Sequence, residues 1–457
     1  MSGRKAPARG GKTRRPASDA RSLAVRALER MDEGMPAQAA VDAVLSASPA
    51  PPRERRLAAE LAYGCARERI RCDTILRRLL RDPSRLPRPM LHTLAIAVHS
   101  LLFQTRIPAH AAISQAVEQV SGLFGLRLAR VANGVLRSLQ RLGTAPLELD
   151  WYAEDRDAPA ERAWRAACRF WSLPESIADL WRDAYGEEVA LKLMRRSFAR
   201  PWTGLRIDAR HPQAQELRCA LLAAAPEDRR EPVGAFGVAF APGALPEEVL
   251  GMPLAHWRAA GALDLQSAGS QVVLAELGLF AWREPVWDAC AGVGGKSRAL
   301  LEAGVPVRLA TDTSGARLAR LLHAPFATGA SRVAVALADA ARPPVAKWGG
   351  HILVDAPCSG LGVLGGRPDI RFPGRRSTDV LRAYPETQGR ILSALAPLLE
   401  PGRELAYLTC TLNPQENEVV IQTLLEQEQG LELVRSWTTP SEHPWLEGMF
   451  GAVLRRR

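Results

Sequence analysis

The sequence predicts two joined architectures: an all-α region, then an α/β domain built on a doubly wound, mostly parallel sheet. Three observations predict this. At 457 residues the chain is too long for one ordinary core. From Asp19 to about Leu142 apolar residues recur at helical spacing with short connections. From about Gly261 apolar runs of strand length alternate with helical segments.

Residues 1–17 lack apolar periodicity and are rich in Gly, Pro, Arg and Lys, so they read as a disordered basic tail. "RSLAVRALERM" sets Leu23, Leu28 and Met31 near helical spacing, and "RERRLAAELAYGCARERIRCDTILRRLL" continues with Leu57, Leu61, Cys65, Ile70, Ile75 and Leu79. "LHTLAIAVHSLLF", "AHAAISQAVEQVSGLF" and "ARVANGVLRSLQRL" follow suit. These make an all-α domain over residues 18–145, in which Cys65 and Cys72 serve packing. "GTAPLELDWYAEDRDAPAERAW" breaks the pattern and reads as a linker. Residues 163–198 are helical again, with a stop at Gly186, and "WTGLRIDAR" reads as a strand. Residues 209–260 are weakly patterned, so 146–260 is taken as linker and N-terminal extension of the domain spanning 261–457.

Within that domain "EPVWDACAGVGGKSRALLEAG" reads as strand, Gly turn, helix, and "PVRLATDTSGARLARLLHAP" as strand, acidic end, helix. "SRVAVALADAA", "GGHILVDAPCSG" and "ELAYLTC" supply further strands, with a helix over "ETQGRILSALAPLLEPG". Ligands of such sheets bind beyond the carboxyl ends of the strands. Asp288, Asp312, Asp339, Asp355, Cys358 and Cys410 therefore share one rim.

The net charge is +11, and the first 15 residues hold six Lys or Arg and no acid, which favours a polyanion partner, nucleic acid first. Only 5 of the 60 basic residues are lysine, a bias that genome composition also produces. No apolar run approaches a membrane span, and no apolar stretch follows the basic N-terminus, so a cytoplasmic address is the default. Seven dispersed cysteines without a C-x-x-C pair argue against both a disulfide framework and zinc, and no metal is expected.

In "DACAGVGGK" the glycines at 292, 294 and 295 let the backbone turn sharply before a helix whose N-terminus faces a ligand. The spacing is neither G-x-G-x-x-G nor a P-loop. Asp312 follows Gly292 by 20 residues, the interval that suits a carboxylate on a ribose diol, and Asp339 ends the next strand. Asp312 also has the residue type of a helix N-cap. Cys358 and Cys410 sit at polar strand ends, where a thiolate is accessible, although either alone would pass as a packed small residue. A thiolate, an acid and an adenosine cofactor together suit methylation of cytosine: sulfur adds at carbon 6, which makes carbon 5 nucleophilic, and a carboxyl group at ring nitrogen 3 stabilises the adduct.

"DACAGVGGKS", "DAPCSGLGVLGGRPDIRF" and "LAYLTCTLNPQENEVVI" resemble the successive motifs of the RNA 5-methylcytosine methyltransferases. "LAYGCARERIRCDTIL", "LLFQTRIPAHAAISQAVE" and "ANGVLRSL" resemble the NusB-type RNA-binding domain. Together they resemble the Sun/Fmu group, the small-subunit ribosomal RNA cytosine-5 methyltransferase B family. The resemblance implies a NusB-like domain before a Rossmann-like, S-adenosylmethionine-dependent one. It implies Cys410 as nucleophile, Cys358 as the residue that assists release, and Asp355 against the cytosine. The cofactor would be held by Cys290, Ala291, Gly292, Val293, Gly294, Gly295, Lys296, Asp312 and Asp339, with Asp355 at its edge. "LDLQSAGSQ" resembles the family's Gln-Asp-Ala-Ser segment and is expected to line the same pocket, with Ser267 in place of the Asp. "GMFGAVLRR" resembles the closing strand.

Two departures stand out. The family's turn reads Ala-Pro-Gly-Gly-Lys, whereas Gly292 and Val293 precede Gly294 here, which predicts a looser cofactor turn. Gly365 and Gly366 stand where the family has basic residues, which predicts a weaker hold on phosphate. The expected protein is a monomer acting on unpaired small-subunit ribosomal RNA. The alternatives are the same chemistry on transfer RNA, or a non-catalytic RNA-binding or antitermination factor.

Overall fold

A computed structural model describes residues 19–104, 107–322, 333–372 and 374–457. The predicted tail at 1–17 lies outside them. The chain divides into two compact units, one reaching Ser172 and one spanning Leu173–Arg457.

The first unit is helical: α1 (Ala20–Asp32), α2 (Ala37–Ser46), α3 (Pro52–Arg67), α4 (Arg69–Leu79), α5 (Arg88–Phe103), α6 (Ala109–Phe124), α7 (Leu126–Leu142) and α8 (Arg162–Phe170). Asp19 starts α1 by accepting from the N–H groups of Arg21 and Ser22, both at 3.1 Å. Its apolar stripe, Leu23, Leu28 and Met31, is fully buried, and each such side chain contributes roughly 1.5–3 kcal/mol. Cys65 and Cys72 are buried in packing, as expected.

The helical unit does not end at 145. The stretch read as a linker closes over the bundle through Arg71, which is buried. Its guanidinium donates to the Tyr152 hydroxyl and to the Pro146 carbonyl, both at 3.0 Å, and lies 4.2 Å from the Phe170 ring centre. Arg169 forks onto Asp157 at 2.6 and 2.8 Å and donates to the Tyr152 carbonyl. These partners are supplied one at a time by an irregular segment, so no periodicity announces them. The compact unit accordingly runs on to Ser172, past the 18–145 span expected of the helical domain.

The second unit opens with α9 (Glu175–Tyr185) and α10 (Glu187–Phe198), separated at Gly186 with φ +82°. Then come β1 (Thr203–Ile207), α11 (Ala214–Ala223), β2 (Arg230–Val233), β3 (Gly237–Phe240), β4 (Glu248–Val249), β5 (Met252–Pro253), α12 (Leu254–Ala259), β6 (Leu263–Leu265) and α13 (Ala268–Glu276). Strands β2, β3, β1 and β6 form an antiparallel sheet in that order, so residues 209–260 belong to a folded subdomain. The main sheet follows: β7 (Val286–Asp288), α14 (Gly295–Glu302), β8 (Val307–Asp312), α15 (Gly315–Leu322), β9 (Ala334–Leu337), β10 (His351–Asp355), α16 (Thr378–Leu395), β11 (Glu404–Thr409), α17 (Glu418–Gln427), β12 (Leu431–Thr438) and β13 (Phe450–Arg456). Its order is β12-β13-β11-β10-β7-β8-β9, with β13 antiparallel to both of its neighbours.

The central strands are buried on both faces, as the unbroken apolar runs predict. Ile352, Leu353 and Val354 of β10, and Leu405, Ala406 and Tyr407 of β11, have no exposed surface. Chain order reverses between β10 and β7, so the crevice beyond their carboxyl ends is the expected ligand position. Parallel pairing of Asp355 with Leu408 brings the loops after β10 and β11 side by side.

Candidate active site

The Gly turn after β7 is held from below and from the side. Asp288 ends β7 but is buried: its carboxylate accepts from the Ser297 hydroxyl at 2.5 Å and from the Cys290 N–H at 3.4 Å. Burial pushes Asp288 up to about 7, against the hydrogen bond from Ser297. Asp288 is thus a strut beneath the rim. The Ala291 N–H donates to the Thr311 carbonyl at 2.8 Å, tying the turn to β8. Gly292 takes φ +58° and Gly294 φ +82°, conformations that glycine adopts without steric cost. The Gly292 N–H then donates to Asp312 Oδ2 at 2.9 Å. That bond, which any residue but proline could make, fastens the turn to the end of β8. Val293 is exposed, and burial pushes the Cys290 thiol well above its ordinary value, leaving it an inert packing group.

Asp312 also accepts from the Ser314 N–H at 2.8 Å and pairs with Arg317 at 3.3 Å. Asp312 is the last residue of β8, and the N-cap of α15 is Ser314, whose hydroxyl accepts from the Arg317 N–H at 3.4 Å. Asp339 lies two residues beyond β9, exposed, with its carboxylate accepting from the Ala341 N–H at 3.0 Å. Behind the turn, Arg206 of β1 is buried. It forks onto Glu302 of α14 at 2.6 and 3.2 Å and donates to Gln266 Oε1 and to the Gly295 carbonyl. Gln266 reaches the same carbonyl at 3.2 Å, so the "LDLQSAGSQ" segment does meet the Gly turn. Ser267 instead caps α13.

Lys296, in the first turn of α14, crosses to β10 and donates to Asp355 Oδ2 at 2.6 Å. Burial opposes its charge, but Asp355 holds its pKa above the ordinary value. Beyond Asp355, Cys358 and Cys410 face each other with sulfurs 3.2 Å apart, and the Cys410 N–H points at the Cys358 sulfur at 3.3 Å. The two thiols share a hydrogen bond in which either sulfur can be the donor. That hydrogen bond lowers Cys410 against its burial and the charge of Asp355, and Lys296 and Arg367 add to the lowering. Cys358 is pushed the other way by the same bond and by burial. Of the two, Cys410 is therefore the readier to lose its proton.

Sequence reasoning passed over the group that holds these loops. Glu416 has no exposed surface. Its carboxylate accepts from the Ser359 N–H at 2.8 Å, Gln388 Nε2 at 3.1 Å and Asn413 Nδ2 at 2.9 Å. Asn417 ties Thr409 and the Thr411 carbonyl, and the Ser359 and Thr411 hydroxyls meet at 2.8 Å. The only signal in the sequence was a polar cluster, "NPQENE", directly after a strand. At Gly365 an added Cβ would lie 2.8 Å from the Ala199 carbonyl oxygen, so a side chain is excluded there by backbone. Arg367, held by Asp369 at 3.3 Å, keeps a cation on that loop.

A Rossmann-like sheet with a nucleoside-type rim beside a strand-end thiol pair defines an S-adenosylmethionine-dependent methyltransferase. Residues 281–447 match the model of the 16S rRNA methyltransferase RsmB/F family, and residues 18–141 that of the NusB family. The chain is 31% identical over 426 residues to the ribosomal RNA small subunit methyltransferase B of Vibrio cholerae, covering 89% of this chain and 90% of that protein. The Pseudomonas putida protein of the same name is 32% identical over 394 residues, with 83% and 82% covered. Among solved structures, PH0851 matches with a TM-score of 0.74 at 18% identity, over 96% of this chain and 99% of that one, a likeness of fold. The chain belongs to the ribosomal RNA small subunit methyltransferase B family.

Proposed function

We propose that the protein forms 5-methylcytosine in small-subunit ribosomal RNA through a covalent bond between Cys410 and the target cytosine. The observation that carries this is the sulfur pair, 3.2 Å apart, at the end of the Lys296–Asp355 bridge. The residues present fit an adenosine group. A Cβ at 292 or 295 would meet nothing within 4 Å, so the turn leaves room for a ligand against its backbone. Residues 290–296, Asp312 and Asp339 would hold S-adenosylmethionine, with Asp355 at its edge. When bound, the cofactor supplies the methyl group that carbon 5 takes.

The chain's own residues do the rest. The Cys410 thiolate adds to carbon 6, and the electron pair moves to carbon 5. Nitrogen 3 takes a proton from solvent as the adduct forms, and Asp355, anchored through one oxygen by Lys296, accepts a hydrogen bond from it with the other. After methylation a water at the site accepts the carbon-5 proton, nitrogen 3 returns its proton to solvent, the electrons re-form the carbon 5–carbon 6 double bond, and the carbon 6–sulfur bond breaks. Cys358 stands where it can return a proton to the departing sulfur. The target must be unstacked to reach these groups, which favours an RNA loop.

Bisulfite mapping of total RNA with and without the protein tests the reading, with new 5-methylcytosine expected in small-subunit ribosomal RNA. New signal confined to transfer RNA would overturn the target. Cys358→Ala should trap a denaturation-resistant RNA–protein adduct, whereas Cys410→Ala should give neither adduct nor methylation. An adduct that survives Cys410→Ala would overturn the assignment of the nucleophile.

A further inference from the structure

Two cysteines face each other, yet the proposed chemistry needs one as thiolate and the other as proton donor. The one asymmetric bond at the pair, from the Cys410 N–H to the Cys358 sulfur, favours charge on Cys358, so something further must select Cys410. We propose that Glu416 is the positioning residue that selects Cys410, and not Cys358, as the nucleophile. The inference rests on the adduct reading above and adds to it the device that fixes which sulfur attacks.

The geometry is one-sided. Glu416 is a fully buried carboxylate whose three side-chain bonds all come from N–H donors, those of Ser359, Gln388 and Asn413. Among the described residues it forms no ion pair, so its negative charge is solvated by dipoles and not cancelled by a cation. That charge is fastened to the backbone of the residue next to Cys358. Negative charge is thereby disfavoured on Cys358, and its proton stays in place. Cys410 meets the opposite field, from Lys296 and Arg367, moderated by Asp355. Glu416 is one of the charges that hold Cys358 up, behind its bond to Cys410 and its burial.

The same carboxylate fixes the approach of the two loops. Ser359 follows Cys358, Asn413 follows Cys410 by three residues, and Gln388 adds α16 while also donating to the Pro357 carbonyl at 3.0 Å. Tyr407 of β11 donates to the Glu416 backbone carbonyl at 2.7 Å. A glutamine at 416 would keep the shape, remove the charge and turn one acceptor into a donor facing other donors.

The test is competitive alkylation of the full-length protein with limiting iodoacetamide near neutral pH, read as the ratio of label on Cys410 to label on Cys358 by peptide mapping. In the wild type the ratio should favour Cys410 by roughly tenfold or more, because thiolate fraction governs the rate. Glu416→Gln should bring the ratio several-fold closer to one. A purely structural role would slow or speed both sites or lower Tm without moving the ratio. A folded Glu416→Gln with the wild-type ratio overturns the inference, as does a wild type that favours Cys358. If Glu416→Gln does not fold, Gln388→Met and Asn413→Ala carry the test. Each releases one grip on the carboxylate, so each should narrow the ratio by a few-fold, and an unchanged ratio in both overturns the inference. The adduct reading fails separately: Cys358→Ala without a trapped RNA adduct sinks that reading whatever the labelling shows. A trapped adduct with an unmoved ratio sinks only the role of Glu416.

Discussion

Lys296 joins the two halves of the site through one short bond. It lies in the first turn of α14, at the proposed cofactor turn, and reaches Asp355, on the proposed cytosine side. Its charge also reaches Cys410 and lowers it. Lys296→Met should therefore raise the Cys410 pKa twice over. The ammonium is lost, and the carboxylate of Asp355, no longer paired, adds its unscreened negative charge. The acid limb of the kcat/KM profile reports the free thiol, so it moves to higher pH. Activity at neutral pH should fall by roughly tenfold or more and recover in part under alkaline conditions. A uniform loss at every pH would mean that Lys296 acts on the cofactor alone.

At the scale of elements the site is made by strand ends that stop in different ways. β10 ends in Asp355, which is partly exposed, whereas β8 ends in Asp312 and β7 in Asp288, both buried, the second under the turn. A test follows from that burial. The Asp288 carboxyl is raised to about 7, above its value in an unfolded chain, so its contribution to stability is complete only below about pH 4. That contribution is lost as pH rises through about 7. Asp288→Asn stays neutral throughout. The Tm of Asp288→Asn relative to wild type should therefore climb between pH 4 and 7 and level off above. A flat difference would show that the carboxyl ionises in the fold as it does in water.

Most of this second unit was legible in its sequence, because buried parallel strands leave continuous apolar runs and the turns between them need glycine. Strand ends likewise placed Asp355, Cys358 and Cys410, whereas Asp288, expected at the rim, lies buried beneath it. Glu416 was not, because its value depends on Ser359 and Gln388, which lie 57 and 28 residues away along the chain. The four-stranded sheet was not either. Its strands are only three to five residues long, too short for alternation to show. The role of Arg71 was invisible because a buried arginine in a helix looks like any exposed one until Tyr152 and Phe170 close over it.

At the scale of the whole molecule, the division at Ser172 separates a helical unit from one that holds every residue of the proposed chemistry. The chain as a whole carries a net charge of +11 and no helix long and apolar enough to cross a membrane among the described residues. If the helical unit and its basic leader bind phosphates, they add affinity that depends on counterion release, while the catalytic unit supplies the pocket. The protein truncated to residues 173–457 should then bind S-adenosylmethionine as tightly as the full chain, because residues 290–296, Asp312 and Asp339 are all retained. Its affinity for small-subunit RNA should fall, and its plot of log affinity against log salt should be shallower by about 0.7–0.9 for each phosphate that the shorter protein no longer neutralises. Equal slopes for the two proteins would place the phosphate-binding groups on the catalytic unit and leave the helical unit a different task. A loss of cofactor binding in the truncated protein would instead show that the second unit needs the first to hold its rim in shape.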